Sequence, residues 1–249
     1  MNNQRRGHDR NAPPPTSARV SACAVAVDVA MLTVRDGKLL LLLVEPDAPT
    51  MAGSWALPGR RVRDNENLDA TAHRALDELA KVSAPDAHLE QLRTYGEVAR
   101  DPTSRVVSVA YLALTPTRQV PASDRPARFW DVARIVSADG PTLAYDHKRI
   151  VADAVERARS KLEYTALATA FVEEPFTLGE LRQVYEAIWG GPLDAANFRR
   201  KVLTTRDFIV PADGLARPGP GGGRPARRFR RGSAIRLHPA MLRPDEPSK

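Results

Sequence analysis

Residues 59–82 read GRRVRDNENLDATAHRALDELAKV. From Asn67 to Val82 the apolar Leu68, Ala72, Ala75, Leu76 and Leu79 recur at helical spacing, so the stretch predicts an amphipathic helix with one buried face. Before it comes a loop punctuated by glycine and proline, DAPTMAGSWALPG, and before that two apolar runs between Val20 and Val44 joined by RDGK. Asp36-Gly37 supplies the positive-φ positions of a tight turn, so the two runs predict a hairpin. After the helix, Gln91 to Val98 and Val106 to Leu114 read as strands separated by the turn RDPTSR. PARFWDVARIV closes this first domain with a pattern that fits helix or strand.

Composition narrows the class. A chain of 249 residues has room for two domains. No stretch approaches the roughly 20 apolar residues that cross a bilayer, so no membrane partner and a cytoplasmic location are expected. The start, MNNQRRGHDRNAPPPTSAR, has basic residues without an apolar region behind them, which fits a disordered arm over 1–19 and not a secretory signal. Cys23 is the only cysteine, which excludes a disulfide framework and a cysteine-rich zinc site.

The net charge of +7 is modest, but its distribution is not. Between Phe198 and Arg231, Arg199, Arg200, Lys201, Arg206, Arg217, Arg224, Arg227, Arg228, Arg230 and Arg231 face only Asp207 and Asp213. That excess is the footprint of a nucleic-acid surface. The texture changes to continuous helix at LAYDHKRIVADAVERARSKLEYTALATAFV, with Ile150, Val151, Ala154, Val155 and Ala158 on one face. A further helix starts at Thr177, where Thr177 and Glu180 form a capping box, and its apolar face is Leu178, Leu181, Val184, Tyr185 and Ile188. Gly190 and Gly191 stop it, and Asp194 caps AANFRRKVLTT. Helix, short turn and basic helix give a helix-turn-helix order. In the second helix Ala195, Phe198 and Val202 are expected in the core, leaving Asn197, Arg200, Lys201 and Thr204 to read base edges or hold phosphates. After DFIVPADG, GPGGGRPARRFRRG reads as the two strands and tip of a wing whose arginines enter a minor groove.

With these elements in place, the stretch 59–82 resembles the Nudix signature, G-x5-E-x7-R-E-U-x-E-E-x-G-U with U apolar. Glu66, Arg74, Leu76, Glu78 and Val82 keep the pattern, and SWALPG resembles the usual lead-in. Four positions depart from it: Arg60 stands for the first glycine, Ala75 and Leu79 for two glutamates, and Lys81 for the last glycine. The resemblance implies carboxylates on one helix face that hold Mg²⁺ or Mn²⁺ against a pyrophosphate. With Ala75 and Leu79 in place of two of them, no metal, no cofactor and no catalytic residue are expected.

Over about Val20 to Arg231 the chain is similar to Nudix-related transcriptional regulators of the NrtR type, on the words RDPTSRVVSVAYLAL, LAYDHKRIVADAVERARSKLEYT, FTLGELRQVYEAIWGGPLDAANFRRKVL and GGGRPARRFR. This resemblance implies an α+β protein: a Nudix α/β/α sandwich with a mixed sheet over 20–143, a linker helix over 144–160, a winged helix-turn-helix domain over 161–240 and a tail over 241–249. It implies a homodimeric repressor of NAD biosynthesis or salvage genes on a palindromic double-stranded operator, with ADP-ribose or a related NAD metabolite as effector. The alternative is a residual Nudix pyrophosphatase that also binds DNA. Effector contacts are expected from Trp55, Arg60, Glu66, Arg74, Glu78, Arg100 and Asp101. DNA contacts are expected from Thr177, Asn197, Arg199, Arg200, Lys201, Thr204, Arg224, Arg227 and Arg228. His147 is expected to order the junction between domains, and the helix 146–160 to be the element that moves.

Overall fold

The computed structural model describes residues 22–82, 87–116, 126–216 and 225–244. The expected arm 1–19, Arg217, Arg224 and the last residues of the expected tail lie outside the described residues.

The hairpin forms as its turn chemistry dictates. Strands β1 (Ala24–Arg35) and β2 (Lys38–Val44) pair antiparallel, with Asp36 at φ 51° and Gly37 at φ 70°. A short strand β3 (Gly59–Arg61), which has no sequence signal of its own, returns to the other half of β1, where Ala26 to Asp28 pair with Arg61 to Gly59. The helix α1 spans Leu68–Ala80, capped by Asn67, whose side chain accepts from the Ala70 amide. Strand β4 runs from His88 to Tyr95, earlier than the expected Gln91 to Val98. Its partner β5 (Val106–Leu114) sets that register by pairing Leu114 with His88 and Ser108 with Tyr95, which leaves Val98 exposed beyond the ladder. The ambiguous PARFWDVARIV is both things in turn, an edge strand β6 (Ala127–Asp131) and a short helix α2 (Val132–Val136) capped by Asp131.

The sheet order is β4-β5-β1-β2-β6, with β1 and β5 parallel and the other neighbours antiparallel. The period-two alternation of the strands sorts their side chains into two cores. Val27, Val29, Met31, Leu42, Val109 and Tyr111 join Leu76 and Leu79 of α1 on one face. Ala30, Leu32, Leu41, Leu43, Ala110, Leu112 and Leu114 face the other way, toward the long helix α3 (His147–Tyr164). The result is the three-layer arrangement of a mixed sheet between helices.

Helix α3 bears the expected apolar stripe: Ile150, Val151, Ala154, Val155 and Ala158 are all buried, and it continues through Leu162. Beyond it the C-terminal domain has β7 (Phe176–Thr177), α4 (Leu178–Trp189), α5 (Ala195–Thr204) and a wing of β8 (Ile209–Ala216) and β9 (Ala226–Arg231), in sheet order β7-β9-β8. The capping box at Thr177 and Glu180 forms, Gly190 takes the left-handed stop at φ 81°, and the Asp194 side chain accepts from the Asn197 amide. Ala195 is exposed, not in the core, because the inward face of this short helix is filled by Phe198 and Val202 alone.

The two domains share one core. Buried residues of the sheet are contiguous, through α3, with Tyr185, Phe198, Val202 and Phe229 of the winged helix. The chain beyond the wing also belongs to it: the Leu237 and Met241 amides donate to the Tyr164 and Glu163 carbonyls, and both side chains are buried. Met241 is therefore part of the packed structure and not of a tail.

Ala158 has no exposed surface at this shared core. Enlarging it to leucine forces neighbours off their preferred rotamers, and Ala158→Leu is expected to cost about 1–3 kcal/mol, read as a lowered urea midpoint of the full chain.

Candidate functional site

A cavity of about 650 Å³ opens between the end of β2, the strand β3, helix α1 and the start of α3. Asp28, Glu45, Asp47, Arg60, Arg61, Arg63, Arg74, Tyr145 and His147 contribute to its wall. A smaller one of about 140 Å³ continues past Asp28 to Arg100 and Asp101.

Its floor is a buried charge cluster. Asp28 is the single acid in the apolar run AVAVDVAML and is almost fully buried. Its Oδ2 accepts from the Ser108 hydroxyl at 2.5 Å and from Arg100 Nη2 at 3.2 Å, and lies 3.6 Å from His147 Nε2. Arg100 also makes a two-pronged pair with Asp146, at 3.2 and 2.8 Å. His147 Nδ1 accepts the Leu57 amide at 3.0 Å, so its ring hydrogen sits on Nε2 and faces Asp28. Burial alone would push the Asp28 carboxyl up, but the His147 ring, the Ser108 hydroxyl and Arg100 outweigh it and hold the group at about 2, down from 3.8. Gly59 is required beside it, because a Cβ there would collide with the Asp28 carboxylate.

This geometry gives three of the expected effector contacts other partners within the protein, although Arg100 and Asp101 also line the smaller cavity. Arg100, expected as an effector contact, is 7% exposed and spends its guanidinium on Asp28 and Asp146. Asp101 organises its own loop, accepting from the Thr103 amide at 2.8 Å and hydroxyl at 2.7 Å. Trp55 does not line the larger cavity; it packs edge-on to Trp130 at 5.4 Å, with the Arg128 guanidinium over both rings. His147 is the first residue of α3 and ties that helix to the loop before β3.

The signature residues converge on a network of arginines. Arg74 holds Glu66 with two bonds of 2.7 Å and the Arg61 carbonyl with a third. Arg74 draws the Glu66 carboxyl down from 4.5 to about 2, helped by the Thr71 hydroxyl. Glu78 receives Arg60 Nε at 2.9 Å, Arg63 at 3.3 Å and Arg74 at 3.5 Å, and Arg60 first among them lowers its pKa. Lys81 ends α1 at φ 54°, the left-handed position that the signature reserves for glycine. The divalent metal that the signature implies does not fit these residues. The surviving carboxylates are already taken by guanidinium groups, Ala75 and Leu79 offer no oxygen, and no group of three or more acid, histidine or cysteine ligands gathers among the described residues.

A second surface lies on α5. Opposite the buried Phe198 and Val202, the helix presents Asn197, Arg200 and Thr204, with exposed Ala196 and Leu203 among them. Sequence reasoning passed over those two because an apolar side chain in a helix reads as core. Asn197 Oδ1 accepts from Arg200 Nη2 at 2.9 Å, which fixes the guanidinium outward. Arg199 and Arg227 are exposed, whereas Lys201 and Arg228 are half-buried. The Thr177 hydroxyl, expected at DNA, is engaged in the cap of α4, accepting from the Glu180 amide and bonding its carboxylate.

Comparison with known proteins follows this division. The NUDIX domain model matches residues 24–154, and the model of the NrtR DNA-binding winged helix domain matches 168–230. The "ADPR responsive transcriptional repressor NtrR" of Acinetobacter baylyi is 33% identical over 181 residues, 72% of each chain. The chain belongs to the NrtR family of Nudix regulators. A family member from Shewanella oneidensis, solved with a 27mer DNA, superposes with a TM-score of 0.72 at 33% identity over 83% of this chain and 93% of that one. A MutT/nudix family protein from Enterococcus faecalis shares the fold at 23% identity, with a TM-score of 0.71 over 86% and 90% of the two chains.

The NrtR-family cavity here depends on Arg100, and acid tests that dependence. A carboxyl with a folded pKa near 2, below its unfolded value, stabilises the protein above about pH 4, and that contribution is lost as pH falls from about 4 toward 2. Arg100→Met leaves Asp28 and Asp146 without their shared cation, so it is expected to cost about 3–5 kcal/mol at neutral pH. It is also expected to move the acid loss of melting temperature to higher pH.

Proposed function

We propose that this protein is a DNA-binding transcriptional repressor whose Nudix domain senses ADP-ribose or a related NAD metabolite and does not hydrolyse it. The observation that carries the reading is the continuity of cavity wall, helix α3 and winged helix: Tyr145 and His147 line the cavity, and α3 begins at His147 and ends in the core of the DNA-binding domain. A ligand changes DNA affinity only if it binds one of two arrangements better than the other. The start of α3 is placed to feel such a ligand, and Tyr145, a non-glycine residue at φ 55°, is strained at that point.

Support for DNA comes from the outward face of α5 and the arginines of the wing, and from the family member solved with DNA. Support for ADP-ribose comes from the relative named as ADPR responsive and from the arginine-rich cavity. A homodimer would place two recognition helices on a palindromic operator, with NAD biosynthesis or salvage genes as the targets the family implies. The silent pocket follows from the donor set around Glu78, which lacks the second carboxylate that a hydrolytic metal needs.

Fluorescence anisotropy with DNA from the protein's own upstream region and from NAD-biosynthetic promoters tests the reading. Tight binding that ADP-ribose releases is the expected result, and Arg200→Ala is expected to weaken operator binding by about 1–3 kcal/mol through loss of a base contact. Absence of sequence-specific binding would overturn the assignment. Mg²⁺-dependent hydrolysis of ADP-ribose that disappears in Glu78→Gln would overturn the silent pocket.

A further inference from the structure

Among the charged side chains of the cavity, Arg60 has an unusual position. The register of β3 opposite Val27 directs it toward α1, where its Nε donates to Glu78 Oε2 at 2.9 Å and its Nη1 to Asp47 Oδ2 at 3.0 Å. One cation thus bridges a carboxylate of the signature helix and a carboxylate of the loop after β2. Its side chain is 23% exposed. Arg63, 60% exposed, approaches the same Glu78 from the solvent side.

We infer that the Arg60 guanidinium is the resident cation of this cavity, and that the cavity takes a diphosphate-bearing ligand without a divalent metal. The ligand half rests on the effector reading above; the metal half stands on the donor set alone. Chemically the exchange is specific. A guanidinium keeps a positive charge and a planar fork of donors that matches phosphate oxygens. It has no open coordination position, so it neither polarises a phosphoryl oxygen as a Lewis acid nor lowers the pKa of a bound water. An arginine there supplies phosphate recognition that does not depend on the carboxylates replaced by Ala75 and Leu79. Glu78 and Asp47 would repel a diphosphate if bare; tied to Arg60 and Arg63, they instead hold those cations at the cavity wall.

Two measurements on the full-length protein decide this. In a Mn²⁺ titration followed by electron paramagnetic resonance, without any organic ligand, binding weaker than about 1 mM is expected, the weak end of carboxylate sites. Tighter binding overturns the inference. In calorimetric titration with ADP-ribose, the affinity in EDTA is expected to match that in excess Mg²⁺ within about twofold, and Arg60→Met to lower it about tenfold or more, with Arg60→Lys between them. An affinity gained only with Mg²⁺, or Arg60→Met binding as tightly as the parent, overturns it. If ADP-ribose binds under neither condition, the effector reading falls and the ligand half with it, while the Mn²⁺ titration still decides whether a guanidinium has replaced the metal.

Discussion

A carboxylate removed from water requires compensating charge and hydrogen bonds, and at Asp28 they arrive from three separate parts of the chain. Ser108 comes from the neighbouring parallel strand, Arg100 from the loop before it, and His147 from the first turn of the long helix. Arg100 then reaches on to Asp146, so the group that neutralises the cavity floor also fastens the start of α3. The close approach of β3 through Gly59 is part of the same arrangement. Breaking any of these contacts exposes the others to an uncompensated buried charge, and the cavity wall, β3 and the interdomain helix therefore share a common dependency.

Around that cluster the arginines play two different parts. Arg74 with Glu66 forms a closed, hydrogen-bonded pair that holds the loop over the start of α1. Arg60 and Arg63 meet a partly open carboxylate at the cavity edge, where solvent and ligand can compete for them. The same residue type thus forms a closed pair at one end of the signature helix and a partly open one at the other, set by how exposed its carboxylate partner is.

The helices were legible because their ends are written in local chemistry: Asn67, Thr177 and Asp194 as caps, Gly190 as a stop, and apolar stripes between. The hairpin was legible for the same reason, through Asp36-Gly37. What escaped depends on partners distant in sequence. Arg100 sits in a polar turn and looks exposed, yet its burial is fixed by Asp28, 72 residues before it, and Asp146, 46 residues after. Trp55 reads as a ligand platform until Trp130 packs edge-on against it and Arg128 lies over its ring. Three-residue β3 has no periodicity to detect, and β4 was displaced because its ends are set by the ladder to β5 and not by its own residues. Asp28 did carry a signal, a lone acid in an apolar strand, which reads equally as a surface interruption until the opposite face is known to be covered.

The core shared by sheet, α3 and winged helix bears on how such regulators diversify. Where a sensor and a reader are joined by a flexible tether, recombination can exchange either one at the tether without touching its packing. Here a splice within α3 would cut through Ile150, Ala154, Ala158 and Leu162, whose neighbours lie on both sides, and through the Met241 and Leu237 segment that closes over its end. On this architecture a change of specificity is more readily reached by altering side chains of the cavity wall, where Arg60 and Leu79 lie, than by shuffling one domain for another.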